Sequence, residues 1–130
     1  MSGLDPVWRR ASRIFTPVLL GFFLAIGYGD SVLGSFHGII GLILIVAFMP
    51  LDHTKRAAIY GWFVGLGYFG WTLRWIIEPF LVDVARHGWM APFALLLMAG
   101  GLALFWALGF GVARALGRRN GAVAWLPITL

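Results

Sequence analysis

One stretch of this 130-residue chain holds most of the side chains that could do chemistry: Arg74, Trp75, Glu78, Asp83, Arg86 and His87. A guanidinium such as Arg74 presents a planar fork of donors that matches a phosphate or carboxylate. On a helix Arg74 would face Glu78 one turn on and pair with it, or extend its head to the membrane interface. The alternative is an anion site for a lipid phosphate, with Trp75, Glu78, Asp83, Arg86 and His87 at the same height. Asp83 and His87 could exchange protons, but no nucleophile accompanies them. There is no cysteine in the chain, which excludes disulfides, thiolate metal sites and a cysteine nucleophile within it. One His and one Asp without regular spacing do not make a metal site, and no HExxH, GxSxG or phosphate-binding loop occurs. The expectation is therefore no catalytic residue, no metal and no cofactor held by these residues. His37 stands apart, inside an apolar run, where a hydrogen bond to a neighbouring helix or a proton relay would account for it.

The elements that must position these residues are written in the composition. The chain is 61% hydrophobic and 12% charged, with mean hydropathy +0.89. Soluble domains run at about 45–50% apolar and about 25% charged, so both departures point to a bilayer. The net charge of +5 comes from basic residues clustered between apolar runs, which is a topology signal and not a nucleic-acid footprint. We therefore expect an all-α, polytopic transmembrane bundle with the phospholipid bilayer as its partner and no nucleic acid.

A polar lead over 1–13 carries Arg9, Arg10 and Arg13. Spans are predicted at about 14–29, 32–49, 57–78 and 91–113, with the start of a further span over 121–130. Thr16-Pro17 is expected in the first helical turn, where proline is tolerated. A spanning run follows the first almost at once, which favours an anchor over a cleaved signal peptide. Gly29-Asp30-Ser31 reads as a tight turn, and Pro79 as the stop of the third span. The arginines of the closing segment, Arg114, Arg118 and Arg119, are expected to end the fourth.

The third span is the odd one. At ~100° per residue, Gly61 and Gly65 share a stripe with Thr72, while Gly67 and Gly70 lie roughly opposite with Arg74. Glycine lets a neighbouring backbone come close, so this helix should pack on both sides, or expose its Gly67/Gly70 face to a groove. Gly34 and Gly38 make a GxxxG pair on the second span that predicts the same. Tyr60 and Trp62 read as one interfacial belt, and Trp71, Trp75 and Trp89 as the other.

Positive charge in short loops marks the cytoplasmic side. Arginines or lysines occupy the lead, the loop at 50–56 (Lys55, Arg56) and the segment after the fourth span. The turn at Asp30 has none, and the connector over 78–90 sets Arg86 against Glu78 and Asp83. The N-terminus is thus expected in the cytoplasm, with Asp30 and the 78–90 connector on the far side.

The run GWFVGLGYFG over 61–70, followed by Leu73-Arg74-Trp75-Ile76, resembles the glycine-rich third helix of apolipoprotein N-acyltransferases. The connector Glu78-Pro79-Phe80-Leu81-Val82-Asp83, then His87-Gly88-Trp89-Met90-Ala91-Pro92, is similar to the loop that follows it in that family, departing at Trp89, where many members have glycine. The resemblance covers roughly 50–116. It implies a multi-pass bacterial inner-membrane enzyme with a periplasmic nitrilase-like domain. That enzyme moves an acyl chain from a phospholipid to the α-amino group of a lipoprotein's N-terminal cysteine, through a thioester on a Glu–Lys–Cys triad. None of the triad can be assigned to this sequence. The resemblance therefore implies a membrane-domain fragment, inactive alone, whose partners are the remainder of the acyltransferase and its lipoprotein substrate. A small four-span scaffold or transporter subunit is the alternative from another class.

Overall fold

A computed structural model of the chain describes residues 6–27 and 32–120, with side chains over 11–27 and 36–117. The described residues are helical, without strands. Four long helices, α1 (Pro6–Ile26), α2 (Val32–Ala47), α3 (Thr54–Thr72) and α5 (Ala91–Asn120), run alternately up and down. A 3₁₀ segment (Arg74–Leu81), a one-turn α4 (Val84–His87) and a second 3₁₀ turn (Gly88–Met90) link α3 to α5. The expected turn at 29–31 and the apolar tail at 121–130 lie outside the described residues.

Helix ends depart from the ends of the apolar runs, in both directions. α1 starts at Pro6, well inside the polar lead, so Pro17 sits in mid-helix instead of the first turn. α5 runs to Asn120, past the arginines expected to close it at 113. Arginine is a good helix former, and cations in the last turns complement the negative end of the helix dipole. Charge ends the apolar stretch without ending the helix.

α3 is shorter than expected for the opposite reason. Its α-helical part stops at Thr72, not Glu78. The ring of Pro79 clashes with the carbonyl one α-turn back and supplies no amide proton, so the α-helix cannot run through 75–78. The chain tightens instead: Leu73 N–H still bonds to Phe69 at 2.8 Å, then Ile76 N–H bonds three residues back, to Leu73, at 2.9 Å.

α3 is the centre of the bundle, with α5 along one side and α1 along the other, while α2 leans on α1. Glycines decide these contacts. A Cβ at Gly65 would stand 2.9 Å from the Ala103 Cα, and one at Gly61 would stand 2.8 Å from the Phe110 ring, both on α5. On the other side, a Cβ at Gly67 would run into the Val18 carbonyl oxygen, and one at Gly21 into that of Val64. Each glycine thus turns a Cα–H toward a carbonyl of its neighbour, a contact that recurs where helices touch at short range. Gly38 has nothing within 4 Å of its would-be Cβ. α2 uses Gly41 against Leu24 of α1 instead, at 3.2 Å. Only the backbone of Gly34 is described.

The core is small: Ile45, Tyr60 and Val64, flanked by Leu20, Leu24, Met49, Trp106 and Phe110. Tyr60 does the work of a distant helix cap. At the end of α2, Met49 N–H bonds to Val46 at 3.2 Å, which diverts it from the Ile45 carbonyl. The Tyr60 hydroxyl donates to that carbonyl at 2.9 Å, satisfying an acceptor that every helix end leaves open. Similarly, Trp62 Nε1 donates to the Gly100 carbonyl of α5 at 3.1 Å, where the lack of a side chain leaves the backbone reachable. Tyr60 and Trp62 therefore tie helices together instead of forming an outer belt. Rings of Tyr68, Trp106 and Phe110 stack in a column between α3 and α5, at 5.4 and 6.3 Å.

The outside is apolar. Leu97 is 77% exposed, Phe105 73%, Phe15 64% and Ile43 60%, while no polar or charged residue is buried among the described ones. A soluble monomer rarely exposes contiguous apolar surface on this scale.

Candidate functional site

Every described charged residue lies at one end of the bundle or the other. Arg13, Asp52 and Arg56 meet around one cavity, with Lys55 beside them. Arg114 of α5 reaches that end by donating from Nε to the Leu51 carbonyl at 2.7 Å, and from Nη2 to the same oxygen. Arg74, Glu78, Asp83 and Arg86 occupy the other end, on the linker from α3 to α5.

At that second end, Arg74 does not pair with Glu78. Its guanidinium lies over the Trp71 ring, 4.2 Å from the centroid, and the ion pair among the described residues is Asp52–Arg56 at 2.8 Å. The 3₁₀ winding is the reason. With three residues per turn, positions i and i+3 eclipse, so Glu78 is carried about a third of a turn away from Arg74. A guanidinium over an indole is a favourable cation–π contact that leaves its fork of N–H donors free for an anion.

Trp71 in turn meets Phe22 of α1 edge-on, with centroids 4.9 Å apart. Both rings line an apolar groove of about 380 Å³ between α1 and α3, with Val18, Leu19 and Leu66 as walls and Gly67 and Gly70 as floor. Gly67 is thus shared between the contact with α1 and the groove, and Gly70, with open space where its side chain would be, belongs to the groove alone. The geometry is a cationic head, an aromatic shoulder and an apolar channel, in that order.

Trp75, Asp83, Arg86 and His87 are all exposed. The Asp83 carbonyl accepts from the Arg86 and His87 amides at 3.2 and 2.9 Å. No hydrogen bond or ion pair joins the side chains of Glu78, Asp83, Arg86 and His87 to one another, so the structure does not assemble them into an acid–base pair. No cluster of three metal-ligating side chains occurs among the described residues. His37 is exposed on α2, tilted against the Phe23 ring at 5.0 Å, and makes no hydrogen bond to a neighbouring helix among the described residues. Phe22 and Gly21 escaped the sequence reading. Their signal is a single glycine beside paired phenylalanines in α1, which reads as filler until α3 is laid against it.

The fold and its surface define a class: an up-and-down helical bundle with an apolar exterior and its charges at the two ends. The helical stretch Val84–Gly117 is long and apolar enough to cross a membrane, while Ala11–Ile26 and Phe36–Ala47 are shorter apolar helices. Comparison with known families narrows the class. The family model described as "Apolipoprotein N-acyltransferase N-terminal domain" matches residues 20–130. The apolipoprotein N-acyltransferase of Caulobacter vibrioides is 44% identical over 99 residues, covering 75% of this chain and 18% of the relative. That of Sinorhizobium fredii is 36% identical over 115 residues, 82% of this chain and 22% of the relative. That of Rhodopseudomonas palustris is 48% identical over 65 residues, 50% of this chain and 12% of the relative. No solved structure gives a significant match. The chain belongs to the apolipoprotein N-acyltransferase family, and the matched part spans no more than 22% of the length of these relatives.

Proposed function

We propose that this chain is the N-terminal part of the membrane domain of an enzyme that transfers a phospholipid acyl chain to the N-terminal amine of lipoproteins. In this reading α1, α2, α3 and α5 cross the bacterial inner membrane, the N-terminus is cytoplasmic, and the 78–90 linker lies on the periplasmic side. α3 at 19 residues would span about 28 Å at ~1.5 Å per residue, close to the ~30 Å of a hydrocarbon core.

The observation that carries the reading is the gathering of Arg13, Lys55, Arg56 and Arg114 at one end of the bundle. Lead, loop and closing segment are far apart in sequence, yet their cations share one side, as the positive-inside rule requires of cytoplasmic loops. At the opposite end, Arg74 over Trp71 would meet the phosphate of a substrate lipid, while the groove between α1 and α3 accepts an acyl chain. Trp75, Glu78, Asp83, Arg86 and His87 would lie at head-group height. With no cysteine among its residues, the chain cannot itself carry an acyl thioester. That step falls to residues of the whole enzyme other than these, and a lipoprotein substrate would meet the linker end.

Reporter fusions test the topology. A fusion at Asp83 should be active only on the periplasmic side and one at Asp52 only in the cytoplasm; a cytoplasmic signal from Asp83 refutes the arrangement. In a full-length enzyme carrying this segment, Arg74→Ala should slow acyl-thioester formation about tenfold, the worth of one charge-assisted hydrogen bond to phosphate. An unchanged rate removes Arg74 from the lipid site.

A further inference from the structure

We propose that the cavity at the basic end of the bundle holds the head group of an anionic phospholipid, at a site separate from the Arg74 groove. The proposal rests on the membrane reading above but concerns the opposite leaflet.

The cavity has a volume of about 440 Å³ and opens between α1, α3 and the loop that joins α2 to α3. That is within the range of ~300–1,000 Å³ typical of small-ligand sites. Arg13 comes to it from α1 and Arg56 from the first turn of α3; Asp52 is the acid on its wall. Asp52 pairs with Arg56 at 2.8 Å, but both side chains are more than half exposed, so the pair is worth little and is open to exchange. The cavity's own charges sum to one positive. A phosphodiester, with one negative charge, balances them.

Two local features sharpen the match. The first turn of α3 contains no acid yet carries Lys55 and Arg56. Cations at the positive end of a helix dipole are unfavourable, and a bound anion relieves them. In α1, Pro17 has no N–H, so the Arg13 carbonyl lacks its helical donor one turn on. Pro17 and Arg13 both line the cavity, so this open acceptor belongs to a residue of its wall.

The rest of the lining selects an amphiphile over a free phosphate. Ile59 and Phe48 form part of the wall and continue onto the exterior, where they are 56% and 55% exposed. A lipid would set its phosphate on the arginines and run its chains along that surface. Basic pockets between spanning helices on the cytoplasmic side recognise anionic head groups by this division of labour. The chemistry therefore assigns a diacyl phosphoglycerol as the occupant, serving as a bound structural lipid.

The test is lipid titration of the purified full chain in detergent micelles, read by native mass spectrometry. Dioleoyl-phosphatidylglycerol should bind about tenfold more tightly than dioleoyl-phosphatidylcholine, and the Arg13→Gln/Arg56→Gln double variant should lose that preference. Asp52→Asn, which frees Arg56 and leaves both cations in place, should keep or strengthen it. Inorganic phosphate at the same concentration should not displace the lipid. Equal binding of the two lipids, a preference that survives in the double variant, or weaker phosphatidylglycerol binding by Asp52→Asn would each overturn the site. Displacement by inorganic phosphate would overturn the lipid assignment. Alkaline carbonate extraction of the chain from cell membranes checks the underlying reading by itself. A chain that stays in the membrane but shows no lipid preference refutes this inference alone; a chain that is extracted refutes both.

Discussion

Replacing Gly67 by alanine tests the packing of α3 more sharply than any other single change. A Cβ at this position would collide with the Val18 carbonyl oxygen and would stand 2.9 Å from its carbon and 3.1 Å from the Phe22 nitrogen. All three atoms are backbone, so no side chain can rotate away and α1 must move off α3. Overpacking of this kind costs about 1–3 kcal/mol, and a gap of about 0.5–1 Å along the contact forfeits a quarter to a half of its dispersion attraction. Alanine returns about 1 kcal/mol of helix propensity. The net expectation is a loss of up to about 2 kcal/mol, against a gain of about 1 kcal/mol where nothing is met. Gly70→Ala, three residues on in the same helix, meets nothing within 4 Å; it should gain the propensity term and lose nothing. The assay is reversible unfolding in mixed micelles, followed by near-ultraviolet circular dichroism of the tryptophans, with the two variants run side by side. A Gly67→Ala chain as stable as the Gly70→Ala chain would refute the close approach of α1 to α3.

Other expectations follow from single contacts. Tyr60→Phe leaves the Ile45 carbonyl without its donor and should cost about 1–2 kcal/mol in the same unfolding assay; no loss would mean the hydroxyl does not cap α2. Arg114→Gln should release the Leu51 carbonyl and speed amide hydrogen exchange across 50–53 at least several-fold, while exchange in the middle of α5 stays unchanged. Arg74→Lys keeps the charge but loses the planar fork over Trp71; in a full-length enzyme it should restore only part of the rate that Arg74→Ala removes. The purified chain, having no cysteine, should move no acyl group from phospholipid to a lipopeptide in detergent, and measured turnover would overturn the assignment of chemistry to residues outside it.

Composition and charge order went a long way by themselves. Long apolar runs parted by short polar segments point to helices, which satisfy their backbone within one segment, and the described residues are helical. The split of the α3 glycines into two faces was readable too, since the angle between positions depends on helical geometry alone. Gly61 and Gly65 do face α5, and Gly67 faces α1.

What failed to read correctly were boundaries and partners. Hydropathy marks where a helix could leave lipid and says nothing about where its hydrogen bonds stop, so α1 begins early, at Pro6, and α5 ends late, at Asn120. Pro79 reads as a stop in the sequence, but nothing in the sequence marks the 3₁₀ winding ahead of it. That winding took Glu78 away from Arg74 and left the guanidinium to Trp71. Tyr60 and Trp62 carry the sequence signature of interfacial belt residues. They became interhelical donors because the end of α2 and the Gly100 notch of α5 happen to face them.

The residues of this chain determined its class, its helices and the family it belongs to, since those depend on local pattern and on position-by-position likeness. The choice of Gly41 over Gly38, the groove beneath Trp71 and the meeting of Arg13 with Arg56 were decided only in three dimensions. Each depends on which helix lies next to which and at what rotation. That is set by the sum of many weak contacts across the bundle, and no stretch of sequence contains both sides of such a contact.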